Sequence, residues 1–416
     1  MEKKKAIILI LGITIVILIT FLFFYFRTNT NTNVPVDNTT QTQNGFGDTS
    51  VDKTNTNTAN FGDTSTPTST TTNNTANELG LKQIFQEPVA GATIFGVYPN
   101  EKVRLVERSN GNIHEISFGS SQITRITNTT IPKIYEALFD KTGTNVLLRY
   151  IKDKTEKIAT YSAKITLYAS TSNEFAGIIS GSFLPENIKT IAINKNSSKI
   201  FYLLETDSGS AGFTGNIDGT SKKQVFTSEL KNWSASWVGD NTVSLLTKPS
   251  YYMQGFLFDL NTSDGSLEQV TGDIYGLTTL VGNNGNSVLF SKNVRGRPTL
   301  GYMDIEKDID SSLSLSTFAD KCVWSKMSSN IVYCAVPKSM PSGLFPDAWY
   351  NGSASFSDDF WEINTADKTT TLLYQTKDNE SVDVSDPVIS AKDNYIIFIN
   401  KKDLSLWEFK ISPAGN

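Results

Sequence analysis

A unit of roughly 45 residues recurs along most of this 416-residue chain, and no other feature constrains the fold so tightly. Each copy is a short apolar strand, a tight polar turn, a second strand rich in β-branched and aromatic residues, a connection, and a third strand. The copies read Leu138-Phe-Asp-Lys-Thr-Gly-Thr-Asn-Val-Leu-Leu148, Ile193 to Tyr202, Trp237-Val-Gly-Asp-Asn-Thr-Val-Ser-Leu-Leu246, Leu280 to Phe290, and Val323 to Tyr333. Looser copies begin near Thr93 and Val388. Runs of Val, Ile, Leu, Phe and Tyr separated by Asn, Asp, Gly and Ser clusters are strand and turn chemistry, and no long amphipathic helix interrupts them.

Seven such units fill residues 79–416 at the 40–50 residues per blade typical of a propeller. The reading is therefore an all-β, seven-bladed β-propeller. An outer fourth strand is visible as Lys223-Gln-Val-Phe226, Glu268-Gln-Val-Thr271 and Thr124-Arg-Ile-Thr127, but the last copy, Ile389 to Ile411, ends after three. Lys82-Gln-Ile-Phe85 repeats the outer-strand pattern ahead of the first blade. If it pairs with the last blade, the ring closes and two sheet edges are satisfied at once.

Two segments precede the propeller. Residues 1–27 hold Lys3, Lys4 and Lys5, then an uncharged apolar run from Ala6 to Phe26 and Arg27. At about 1.5 Å per residue such a run spans one hydrocarbon core, and Phe21 to Phe26 leads straight on with no small-residue cleavage site, so an uncleaved anchor is expected. The lysine excess puts the N-terminus in the cytoplasm and the rest outside a cell membrane crossed once. Residues 28–78 are Thr, Asn, Ser, Gln and Gly with few apolar residues, a composition expected to form a disordered stalk. Within it Phe46-Gly-Asp-Thr-Ser50 recurs as Phe61-Gly-Asp-Thr-Ser65, most simply by slippage in a low-complexity tract.

The turn-flanked strand pairs and Trp233-Ser-Ala-Ser-Trp237 resemble the WD40-like repeats of TolB-type propellers. The tract is degenerate: Ser-Ala-Ser stands where that family has Ser-Pro, and its Asp-Gly turn survives loosely as Gly239-Asp240 or Gly282-Asn-Asn-Gly285. With the anchor and stalk, the chain is also similar to membrane-anchored surface propellers of small-genome bacteria. The repeat is a scaffold pattern, so the resemblance implies a binding platform and carries over no catalytic residue.

Composition narrows the chemistry. One His and two Cys exclude multi-histidine or four-cysteine metal sites, and no cofactor is expected. A net charge of −5 with 19% charged residues gives no footprint for nucleic acid. His114 lies in an alternating strand after the Asn110-Gly111 turn, and without a Gly-x-Ser-x-Gly elbow nothing marks it as a catalytic base. Asp259-Leu-Asn-Thr-Ser-Asp-Gly265 departs from calcium-loop spacing and falls where a hairpin turn is due. Cys322 and Cys334 lie equidistant from Ser328 in the turn of the sixth unit, so an ungapped hairpin sets them opposite each other. Outside the cytoplasm a disulfide is expected there, two buried thiols being the alternative.

The long connections all fall between second and third strands, on one face, and loop elaboration on one face marks it as the site. Candidates there are Tyr251, Tyr252, Arg295 and Arg297, and in the insertion from Pro337 to Phe356 Phe345, Asp347, Trp349 and Tyr350, with Asp358 and Asp359 just beyond. Aromatic rings and carboxylates in this arrangement suit a protein, peptide or glycan ligand, whereas a plug over the channel is the structural alternative for Phe345 and Trp349. The expectation is a non-enzymatic binding or scaffold module at the cell surface. The alternative is a glycan-active enzyme, which needs two carboxyl groups roughly 5–10 Å apart at the propeller mouth.

Overall fold

Alternating apolar runs of three to ten residues, each closed by a turn, can only be buried by stacking sheet on sheet, and they do so around a ring. The computed structural model describes residues 80–411 apart from positions 121, 129, 153–154, 156, 169–175, 308 and 342. The anchor expected over residues 6–26 and the stalk expected over 28–78 lie outside the described residues. Seven four-stranded antiparallel sheets follow one another, each a blade, six of them with strands in sequence order from the channel outward and the seventh with its outer strand taken from the start of the propeller. The inner strands are Val89–Phe95, Ile134–Phe139, Ile188–Ile193, Trp233–Trp237, Thr278–Val281, Cys322–Trp324 and Val384–Ile389, for blades 1 to 7.

Ring closure is as expected. Gly80–Phe85 pairs antiparallel with Leu406–Lys410, Leu81 facing Phe409 and Gln83 facing Trp407. It completes blade 7, and buried Ile84 and Phe85 join Val103, Leu105, Ile397 and Leu406 in the core between blades 7 and 1. Each fully buried Leu, Ile or Phe contributes about 1.5–3 kcal/mol, so this short strand is a substantial part of the seal. Elsewhere the inter-blade cores are aromatic: Trp233 and Trp237 pack with Phe201 and Phe226 between blades 3 and 4. Trp324 donates its indole N–H to Leu280 O at 3.1 Å, tying blade 6 to blade 5. Blades 1 and 2 approach so closely that a Cβ on Gly91 would sit 1.9 Å from Ala137 O.

The turns between first and second strands clasp one another at one end of the ring. Ala391 N donates to Glu101 Oε1 at 2.7 Å, Lys326 N to Asp393 Oδ1 at 2.9 Å, and Asn283 Nδ2 to Ser325 O at 3.0 Å. Lys195 of blade 3 reaches Asn283 O of blade 5. The long connections emerge at the opposite end, which is the mouth. Cys322 and Cys334 are directly paired in blade 6 and joined by a disulfide, with Cα atoms 4.1 Å apart.

Candidate functional site

The insertion between the second and third strands of blade 6 is held by an ionic knot. Lys321, fully buried, donates through Nζ to Asp358 Oδ2 at 2.7 Å, Asp383 Oδ1 at 2.6 Å and Val384 O at 3.0 Å. Asp383 in turn accepts from the Trp349 indole at 3.0 Å and from Phe356 N at 3.0 Å. The ammonium lies 4.9 Å from the Trp349 ring centroid and 5.2 Å from that of Phe356. Around this polar knot Phe318, Phe345, Trp349 and Phe356 form a small core of their own. A buried lysine is tolerable here only because two carboxylates and a carbonyl surround it.

The knot places Tyr350, the last residue of the short helix Asp347–Tyr350, over the channel mouth. Its hydroxyl donates to Asp320 Oδ2 at 2.7 Å, and Asp320 stands immediately ahead of the inner strand of blade 6. The next inner strand carries Asp386, and the inner strand of blade 2 carries Glu136. Burial raises the Asp320 pKa, and the nearby Asp386 charge adds to it. Burial likewise raises that of Asp386, with Glu136 as the second cause. Asp386 and Tyr350 both touch solvent, but as channel residues they meet it inside the ring, crowded by protein on every side. Glu136 is paired with Arg149, whose guanidinium also donates to Ile188 O at 2.6 Å.

Two backbone irregularities aim these side chains inward. Pairing of the inner strand slips between Ile134 and Glu136 in blade 2 and between Ser385 and Val388 in blade 7. Asp386 also has a left-handed backbone, φ 50°, which an L-residue adopts at a cost and which recurs at functional sites. A cleft of about 290 Å³ runs along the channel wall from Asp320 and Tyr350 past Ser234, Ser236 and Thr279 to Lys195 at the clasped end. A wider hollow of about 820 Å³ on the outer edge of blade 3 is an open groove far from these carboxyls, so the wall cleft is the better candidate.

The expected ligand residues fall into two groups. Phe345 and Trp349 are 1% and 3% exposed, and as placed neither ring offers a face to a ligand. Asp347 accepts from Tyr251 N at 2.6 Å, and Asp358 and Asp359 are taken up by Lys321 and by Thr376. Tyr252, Arg295 and Arg297 are exposed on the mouth face, with Tyr251 half-buried beside Tyr252. His114 is buried with Nε2 3.2 Å from Glu107 Oε2, away from the mouth carboxyls. Asp320, Asp386 and Glu136 were not among the candidates. The available signal was Asp386-Pro387, since a proline inside an inner strand marks a bulge.

No protein-family model matches the chain, and no curated protein matches it in sequence. Solved structures match the fold. An oligogalacturonate lyase from Vibrio parahaemolyticus is similar over 81% of this chain and 98% of its own, with 8% identity and a TM-score of 0.51. An oligogalacturonate lyase in complex with manganese is similar over 80% and 98%, at 10% identity and a TM-score of 0.48. TolB from Acinetobacter baumannii is similar over 69% of this chain and 63% of its own, at 9% identity and a TM-score of 0.42. At such identities the likeness is one of fold: a seven-bladed propeller.

That finding corrects the expectation of a non-enzymatic binding or scaffold module. The expectation rested on the repeat being a scaffold pattern that carries over no catalytic residue, and the glycan-active enzyme given as the alternative is the reading the likeness favours. The Vibrio lyase is an enzyme matched over 98% of its length, so a propeller of this extent is not by itself a sign of a non-enzymatic platform. A manganese site does not fit here: among the described residues no three His, Cys, Asp or Glu are grouped to hold a metal ion, and His114 is engaged by Glu107.

Proposed function

We propose that the propeller is a glycan-active enzyme whose reaction is run by the carboxyl groups at the channel mouth. The observation that carries this reading is that Asp320, bound to the Tyr350 hydroxyl, and Asp386 come from neighbouring parts of the ring: burial raises both pKa values, the Asp386 charge adds to the rise at Asp320, and the Glu136 charge adds to that at Asp386. Two such neighbouring groups do not ionise together easily, so one keeps a proton while the other is free to act as base. One of the two gives a proton to the leaving glycosidic oxygen, while the other, ionised, takes a proton from the water that attacks the anomeric carbon, and the Tyr350 hydroxyl holds Asp320 in position. The serine and threonine hydroxyls of the wall cleft supply hydrogen bonds suited to a sugar.

The test is release of new sugar ends from a panel of neutral and acidic glycans. The full chain should cleave at least one, fastest in mild acid, and the rate should fall as rising pH strips the proton from the carboxyl that serves as acid. Asp320→Asn and Asp386→Asn should each lose on the order of 10²–10⁴-fold while unfolding at an unchanged temperature. Full activity in either variant would overturn the assignment. The kinship with TolB-type propellers, from Trp233 to Trp237, and the N-in, C-out anchor are part of the same proposal: the enzyme works outside the membrane, where extracellular glycans are found.

A further inference from the structure

Two arginines on the mouth face have no work to do within the fold. Arg295 and Arg297 sit at the tip of the hairpin joining Ser287–Val294 to Arg297–Asp304 in blade 5. Both are exposed, and their side chains make no ion pair or hydrogen bond among the described residues, while Arg104 and Arg149 are each bound to a glutamate. Arg295 holds φ 52° beside Gly296 at φ 79°, a two-residue turn where Asn or Gly is the usual first residue. A long cation thus stands, at some backbone cost, where Asn, Asp or Gly would serve the turn better.

The neighbouring connection of blade 4 brings aromatic surface. Tyr252 is 68% and Met253 69% exposed, and Tyr251 and Tyr252 meet edge to face with ring centroids 5.0 Å apart. Both connections lean on the insertion that carries Tyr350. Tyr251 N donates to Asp347 Oδ2 at 2.6 Å, and Asn293 Nδ2 donates to Phe345 O at 3.1 Å. Gly276, just past the outer strand of blade 4, donates to Ser250 O at 2.9 Å, and a Cβ there would lie 3.1 Å from that of Asn293. The arginine hairpin, the tyrosine loop and the Tyr350 to Asp320 contact are therefore parts of one braced surface.

From these observations we infer that the substrate is a polyanionic saccharide chain, held by Arg295 and Arg297 through its acidic groups and by the exposed face of Tyr252 through a sugar ring, beside the channel carboxyls. The inference rests on the glycan reading of the channel and names its substrate class. Guanidinium groups take carboxylate, sulfate or phosphate in paired hydrogen bonds, and two unpaired ones on a protein of net charge −5 are a local exception that selects an anion. Exposed tyrosine adds stacking area at little entropic cost. A carboxyl site kept partly protonated is compatible with an anionic chain, since it presents less charge to repel it.

Retardation of the full chain by immobilised dextran sulfate against unmodified dextran isolates charge on a common backbone. The wild type should bind dextran sulfate at least 10-fold more tightly than dextran, and Arg295→Gln with Arg297→Gln should erase the difference, whereas Arg295→Lys with Arg297→Lys should keep most of it. Tyr252→Ala should weaken binding with the salt dependence intact. Retardation reads binding and not turnover, so a failure of the catalytic assignment is read separately. Ranking dextran sulfate against a polyuronate assigns the anion, and either order supports the proposal. Equal binding of the two dextrans, undiminished binding by the double glutamine variant, or tighter capture of a single-stranded oligonucleotide of matched charge would overturn it.

Discussion

Lys321 and Trp349 carry the architecture of the mouth, and their removal separates stability from chemistry. Lys321→Met leaves Asp358 and Asp383 facing each other in a dry site, so it should cost about 3–5 kcal/mol in denaturant unfolding, the usual effect of stranding a buried charge. Trp349→Ala opens a cavity in the Phe318, Phe345 and Phe356 cluster and should cost a similar amount, about 3–5 kcal/mol. Tyr350→Phe removes only the hydroxyl that reaches Asp320, so the melting temperature should hardly move while turnover falls. His114 is a different case. Burial depresses its pKa, outweighing the opposing pull of Glu107, while Arg125 adds to the depression. The native state therefore favours the neutral ring: full stability holds above the unfolded value near 6.5, and part of it is lost as pH falls through that value towards the native one. The single imidazole should titrate by NMR below about 6.5, and His114→Gln should flatten this part of the stability profile. A titration above that value would remove the effect.

Among the elements, the closing strand and the inner-strand bulges do the most. Gly80–Phe85 contributes Ile84 and Phe85 to the core of blades 7 and 1, and removing it exposes Leu406–Lys410 as an unpaired edge. Chains starting at residue 86 should therefore melt far below chains starting at residue 80 and aggregate on heating; equal melting would refute the closure as a stabilising element. The Cys322 to Cys334 bridge closes a short loop beside Asp320, and Cys322→Ala should lose about 2–3 kcal/mol, read as the shift in denaturant midpoint. The bulges at Ile134/Glu136 and Ser385/Val388 serve aim more than stability. In an unbroken strand successive side chains alternate between the two faces, and a slip of register turns one of them towards the channel.

At the scale of the molecule, the ring is clasped at one end by its turns and open at the other, where the connections are long. The clasp joins blades far apart in sequence, as Glu101 does with Ala391, and leaves the mouth as the route to the carboxyls. A ligand that enters there meets the Arg295 to Tyr252 rim before Asp320. On the proposed topology, protease added to intact cells should release a propeller that retains activity, by cutting between residues 28 and 78; a propeller protected until lysis would reverse the orientation.

The strand order, the seven blades and the closing strand follow from the chain alone, because each depends on short-range alternation and on turns a few residues long. Lys82 to Phe85 betrays its partner by copying the outer-strand pattern, and Cys322 faces Cys334 by symmetric spacing about Ser328. Only the tertiary structure decided the site. Glu136, Asp320 and Asp386 lie in three distant stretches of ordinary composition, and they become neighbours because ring closure turns the ends of the inner strands towards one axis. Likewise nothing local distinguishes Lys321 from a surface lysine. It is buried because Asp358 and Asp383 arrive from other strands to meet it, and a charge is stable in a core only when the whole fold supplies its partners.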